Sequence, residues 1–110
     1  MIYLPESIIE VVRRAANKKM LFLPHAVNQM SRPERVISIH EVRHVIEKGG
    51  VIEDYSDDPR GHSCLILGKG IGGRPVHVVC SPKEDFLAII TPYLPSEAEW
   101  KNNYSERKRP

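Results

Sequence analysis

The stretch RPVHVVCSPKEDFLAIITPY, Arg74 to Tyr93, decides how the chain folds. It is dense in Val, Ile and Thr, which suit a pleated, half-buried surface, and it is broken once by the polar run Pro82 to Asp85. It therefore reads as two strands joined by a turn, at the centre of a sheet with at least one buried face. Polar groups interrupt the apolar ladder: Arg74 at its start, His77 inside the first strand, Thr91 and Tyr93 at the end of the second. Such groups transfer protons and hold phosphates. A one-residue slip in pairing reverses the faces, so register decides whether His77 and Tyr93 meet. Burying Val76, Val78 and Cys80 removes more apolar surface than burying Pro75, His77 and Val79, which favours His77 facing an open groove. The other arrangement puts His77 in the core beneath a helix.

Outward from this hairpin the signals are local. Gly68 to Gly73 is a glycine-rich loop leading into it, preceded by strands at Val51 to Tyr55 and Ser63 to Leu67 with an acidic turn between them. The loop lacks the G-K-[ST] ending of a phosphate loop and opens a strand rather than a helix. Further upstream, Ile8, Ile9, Val12, Ala15 and Ala16 form the apolar face of a helix over residues 5–18, opened by Pro5 and Glu6. Met20 to Leu23 is a short strand. A short helix follows Pro24, with His25, Gln29 and Arg32 on one face. Ser38 and Glu41 spell a capping box for a second helix with Ile39, Val42, Val45 and Ile46 inward, ended by Gly49 and Gly50. Beyond Tyr93, Ser96 to Trp100 begins like a short terminal helix, followed by a frayed basic tail over residues 101–110.

Together these elements predict one α+β domain: N-terminal helices packed on a twisted, mainly antiparallel sheet of four to five strands, with a short C-terminal helix. No apolar run approaches the roughly 20 residues of a membrane span, and Arg13 and Arg14 follow the first apolar residues, so a cytoplasmic protein is expected. The net charge of +2 is small, although residues 1–50 hold eight Lys or Arg against five acids. Cys64 and Cys80 lack metal-ligand spacing and read as buried free thiols. His40-Glu41-Val42-Arg43-His44 matches H-E-x-x-H, yet the apolar stripe turns both histidines to the wet side and Glu41 is engaged in the capping box. No metal and no cofactor are expected.

Metal-independent cleavage of RNA needs a base for the 2′-hydroxyl, an acid for the leaving oxygen and cations on the phosphate. His77, His25 and Tyr93 are the candidate catalytic groups; Arg74, Arg60, Arg32 and Thr91 are the candidate phosphate-binding and positioning groups. For them to act, they must surround one solvent-open groove.

The order of elements resembles the toxin-like domains of the RelE superfamily, in particular the BrnT-like ribonuclease toxins and a related uncharacterised bacterial family. The residues that carry this are His25-Ala26 with Met30 and Arg32, Gly50 to Tyr55, Asp58-Pro59-Arg60-Gly61, Gly73 to Val79, and Thr91-Pro92-Tyr93 with Trp100 behind. The likeness covers residues 23–100. It implies a helix-led α+β fold and a metal-independent endoribonuclease that cleaves messenger RNA and is restrained by an antitoxin protein. The alternative is a non-catalytic module on the same fold that binds a protein or a nucleic acid. Oligomeric state is left open.

Overall fold

The computed structural model describes residues 7–109. In chain order the elements are α1 (Ile8–Lys18), β1 (Met20–Phe22), α2 (Pro24–Met30), α3 (Ile39–Lys48), β2 (Gly50–Tyr55), β3 (Ser63–Lys69), a 3₁₀ turn (Ile71–Gly73), β4 (Pro75–Pro82), β5 (Leu87–Tyr93), β6 (Trp100–Lys101) and β7 (Glu106–Arg107). Five strands form one sheet in the order β1-β5-β4-β3-β2, and β6 and β7 pair separately. β2 to β5 form an antiparallel meander, whereas β1 joins β5 in parallel. The expected helix start at Pro5 and Glu6 lies outside the described residues. Among those described, no helix is long and apolar enough to cross a membrane.

All three helices lie on one face of the sheet. Val12, Ala15 and Ala16 of α1, Ala26 and Met30 of α2, and Val42, Val45 and Ile46 of α3 meet Ile66, Val76, Val78, Cys80 and Ile89 in one core. The alternation of β4 thus falls as its apolar area dictates, with Val76, Val78 and Cys80 towards the helices. Cys64 and Cys80 are buried free thiols on neighbouring strands. Burial pushes the Cys80 thiol up after the hydrogen bond with Cys64, which itself is held below its ordinary value by that bond.

Two expectations need correction. Ile39 is 53% exposed, because it sits in the first turn of α3, where an open groove replaces packed sheet. The expected C-terminal helix does not form among the described residues. Ser96 accepts a single turn from Glu99 and Trp100, and then Asn102, Asn103 and Tyr104 take left-handed backbone conformations that no right-handed helix allows. The chain instead turns back as the β6–β7 pair, so the tail is folded as far as Arg107.

One buried carboxylate ties α3 to the hairpin between β3 and β4. Ser38 and Glu41 form the capping box read from the sequence, and Glu41 goes further. Its Oε1 and Oε2 each accept a 2.8 Å bond from the Arg74 guanidinium, and Oε2 accepts a third from Ile71 N–H at 2.9 Å. Arg74 also donates to the Val36 carbonyl. The Arg74 hydrogen bonds hold the Glu41 carboxyl below its ordinary value of 4.5, against the opposing effect of burial. A side chain at Gly70 would collide with this carboxylate, which is why the loop needs glycine there.

Glu41→Gln should lower stability at pH 7 by about 2 kcal/mol, the order for hydrogen bonds to a charged group, as read by urea denaturation. The depressed folded pKa makes this stabilisation complete above pH 4.5 and lost as pH falls through the folded value. The difference between wild type and variant should therefore shrink on acidification. A difference that persists unchanged in acid would remove the carboxylate from this role.

Candidate functional site

The face of the sheet away from the helices carries the polar chemistry. His77 pairs with Tyr93 across β4 and β5, Val79 with Thr91, and Leu65 of β3 with both Val79 and Glu53. Alternation therefore sets Glu53 and Tyr55 of β2, His77, Thr91 and Tyr93 on one side. The expected meeting of His77 and Tyr93 occurs: His77 Nδ1 lies 3.0 Å from the Tyr93 hydroxyl.

The open groove expected above His77 does not exist. The β6–β7 segment lies over this face, and His77 is fully buried. Its ring packs edge-on against Trp100 at 4.4 Å between centroids and against Tyr93 at 5.2 Å. Nε2 is 2.8 Å from the Tyr104 carbonyl oxygen. A carbonyl only accepts, so Nε2 carries the proton, and Nδ1 accepts from the Tyr93 O–H. Burial pushes His77 below its ordinary value, opposed by the Tyr104 bond, and pushes the Tyr93 phenol up to about 12. A neutral imidazole with both nitrogens engaged neither accepts a substrate proton nor donates one in this arrangement.

Arg107 locks the cover. Its guanidinium lies 4.7 Å from the Trp100 ring centroid, and its Nε donates to Glu53 Oε2 at 2.8 Å. Tyr55 donates to the other Glu53 oxygen. Burial pushes Glu53 up, but the bonds from Arg107 and Tyr55 outweigh it and hold the carboxyl below its ordinary value.

The remaining sequence candidates lie elsewhere. Arg74 is committed to Glu41 on the helix side, one residue before β4 and in phase with Val76. Arg60 sits in the loop before β3, gripped by Asp58 through its backbone N–H, Nε and Nη2. That grip holds the Asp58 carboxyl well below its usual range. The Arg60 carbonyl accepts from Lys83 at 2.8 Å, which places it at the far end of β4 from His77. His25 and Arg32 are exposed at the two ends of α2, whose Ala26 and Met30 enter the helix-side core, so the sheet separates them from His77. The predicted catalytic set is therefore dispersed, except for His77, Tyr93 and Thr91. Glu53, Tyr55, Trp100, Tyr104 and Arg107 complete the polar cluster and escaped the sequence reading. The i, i+2 spacing of Glu53 and Tyr55, and a lone Trp in a polar tail, were the available signals.

Beside the cover lies an open groove of about 650 Å³. Its floor includes Leu67, Gly68 and Pro75, and its walls carry His44 and Lys48 of α3, Lys69 of β3, and Asn103 and Tyr104 of the C-terminal turn. Among the described residues no carboxylate lines it, and His44, Lys48 and Lys69 have no ion-pair partner. Leu67 is the cross-strand neighbour of His77, and Tyr104 borders the groove while capping that histidine.

The fold and these two features define an α+β domain with a sealed polar cluster on one sheet face and a cationic groove at its margin. The chain belongs to the family described as a domain of unknown function, DUF4258, whose model matches residues 22–93. No curated protein and no solved structure matches it. Glu53, Tyr55, His77 and Tyr93 fall within the matched residues, and the covering Trp100, Tyr104 and Arg107 fall beyond them.

Because His77 binds its proton less readily folded than unfolded, stability should be full above pH 6.5 and fall as pH drops through 6.5 towards the folded value. The loss should not exceed about 1.4 kcal/mol per pH unit, and His77→Gln should lack it. Trp100→Ala should raise the His77 pKa towards 6.5 in an imidazole NMR titration. An unmoved titration would show that Trp100 does not seal the site.

Proposed function

We propose that this domain binds RNA through its sugar–phosphate backbone, in the groove between the C-terminal half of α3 and the turn at Asn103 and Tyr104. The observation that carries this reading is the convergence of His44, Lys48 and Lys69 on a groove free of carboxylates. Cations that neutralise no protein acid are available to phosphate, and Tyr104 at the border offers an aromatic face to a base. The neighbouring hollow, which shares Asn103 and Tyr104, is mixed in charge: Lys108 lies there with Glu97, and Lys101 is paired with Glu106, so the cationic surface ends at the groove.

A second reading keeps the resemblance to RelE-type toxins: a metal-independent endoribonuclease, restrained by a cognate antitoxin. The gathering of Glu53, Tyr55, His77, Tyr93 and Arg107 on one sheet face favours it, because a base, acids and a phosphate-binding cation then stand side by side. Cleavage by His77 under this reading requires the β6–β7 segment to leave, since both imidazole nitrogens are occupied.

One experiment separates the two. Labelled single-stranded RNA incubated with the protein in EDTA should bind with an affinity that falls as salt rises. Replacing both Lys48 and Lys69 by Ala should weaken binding about tenfold and reduce the salt dependence by roughly 0.7 per lost phosphate contact. RNA recovered intact supports the binding module. Fragmentation that resists EDTA and disappears in His77→Gln establishes the nuclease. Absence of both salt-dependent binding and fragmentation rejects both.

A further inference from the structure

The C-terminal turn takes part in two sites at once. Tyr104 borders the cationic groove together with Asn103, and the Tyr104 carbonyl accepts the Nε2–H of buried His77 at 2.8 Å. The two sites also share a strand pair, since Leu67 on the groove floor is the cross-strand partner of His77. Within the turn, β6 and β7 pair over two residues each, Trp100 with Arg107 and Lys101 with Glu106, and the Lys108 N–H adds a bond to the Glu99 carbonyl. A two-stranded ribbon of that length is at best marginally stable alone. Asn102, Asn103 and Tyr104 stand at φ of 52°, 56° and 69°. L residues, and Tyr least readily, enter that region only when their surroundings hold them there.

What holds the cover is its docking on the sheet. Trp100 is buried against the His77 ring, Arg107 reaches Glu53 of β2, and the Tyr104 carbonyl caps His77. A segment anchored in this way opens on its own, at a lower cost than unfolding the whole domain. Opening uncovers His77, and it also removes the wall that Asn103 and Tyr104 give the groove. Lys48 and Lys69 stay behind, because they belong to α3 and β3. The closed and open forms therefore differ in their affinity for whatever fills the groove. Only such a difference lets a ligand shift an equilibrium between two states.

We propose that RNA bound in the groove latches the cover, holding β6 and β7 down and His77 sealed. This rests on the RNA reading and names a regulatory consequence of it. Tyr104 against a base and Asn103 against the backbone add to affinity in the closed form alone, so RNA favours closure. The coupling is reciprocal: whatever loosens the cover weakens the grip on RNA. Occupancy of the groove and exposure of His77 thus exclude one another within one molecule. Under the nuclease reading the groove is then an inhibitory site, and the strand to be cleaved sits elsewhere.

The probe is a labelled 2′-O-methyl oligouridylate of about ten nucleotides, which keeps the phosphates and has no free 2′-hydroxyl to attack them. Fluorescence anisotropy reads binding. Solvent exchange of the His77 Nε2 proton, followed by NMR, reads opening, because that proton leaves the Tyr104 carbonyl only when the cover lifts. Saturating oligonucleotide should slow this exchange about tenfold, the scale of one stacking contact. Trp100→Ala, at a residue outside the groove lining, should weaken binding by a similar factor with the salt dependence unchanged, since no cation is lost. The unchanged salt dependence separates a loosened cover from an unfolded protein. Saturable binding with unchanged or faster His77 exchange would overturn the latch and leave the RNA reading standing. So would a Trp100→Ala variant that binds as tightly as wild type. Absence of salt-dependent binding would reject the RNA reading and the latch with it.

Discussion

The Glu41 carboxylate is the constraint on which the rest of the architecture depends. It accepts from Arg74, from the Ile71 N–H and, at 3.4 Å, from the Ser38 N–H, so it fixes the start of α3 and the tip of the β3–β4 hairpin together. With both ends held, α3 lies close enough to the sheet that a Cβ at Gly68 would stand 3.0 Å from Val45. A buried ion pair of this kind adds little net stability over an apolar replacement, because desolvation offsets much of the attraction. Its value is in specifying one arrangement. Sliding α3 by a turn would strand a charge in the core.

That constraint also shapes the surface. Arg74 is drawn to the helix side, which removes it from the His77 face and leaves Lys48 and Lys69 as the unpaired cations at the groove. It holds the Val36 carbonyl as well, which fixes one wall of the apolar groove beside Ile39. A single carboxylate thus sets the position of Arg74 and, through it, one wall of that groove.

What the sequence revealed follows from the range over which each signal acts. The capping box of Ser38 and Glu41 is a three-residue pattern, and the structure forms it as read. The alternation of Val76, Val78 and Cys80 fixed the inward face of β4. The second role of Glu41 was hidden, because Arg74 lies far away in sequence and no local pattern links them. The Ser96 to Trp100 signal was real for one turn, with Ser96 3.5 Å from Glu99, but the packing of Trp100 on His77 outweighed continuation of the helix. The cover itself rests on three successive left-handed residues, Asn102, Asn103 and Tyr104. Asn is favoured there, whereas Tyr is not, so propensity pointed elsewhere and tertiary contact decided.

The parallel pairing of β1 with β5 governs the order in which the molecule assembles. β2 to β5 are joined by short connections, so their pairings close small loops at modest entropic cost. Met20 must find Leu87 across nearly the whole intervening chain. On a ribosome, β1 emerges early and waits for a partner that is made among the last residues of the sheet. Throughout that interval its apolar residues and those of α2 have no sheet to cover. A nascent chain of this protein therefore depends on rapid completion of β5, and slow translation between β1 and β5 lengthens the period in which it can aggregate.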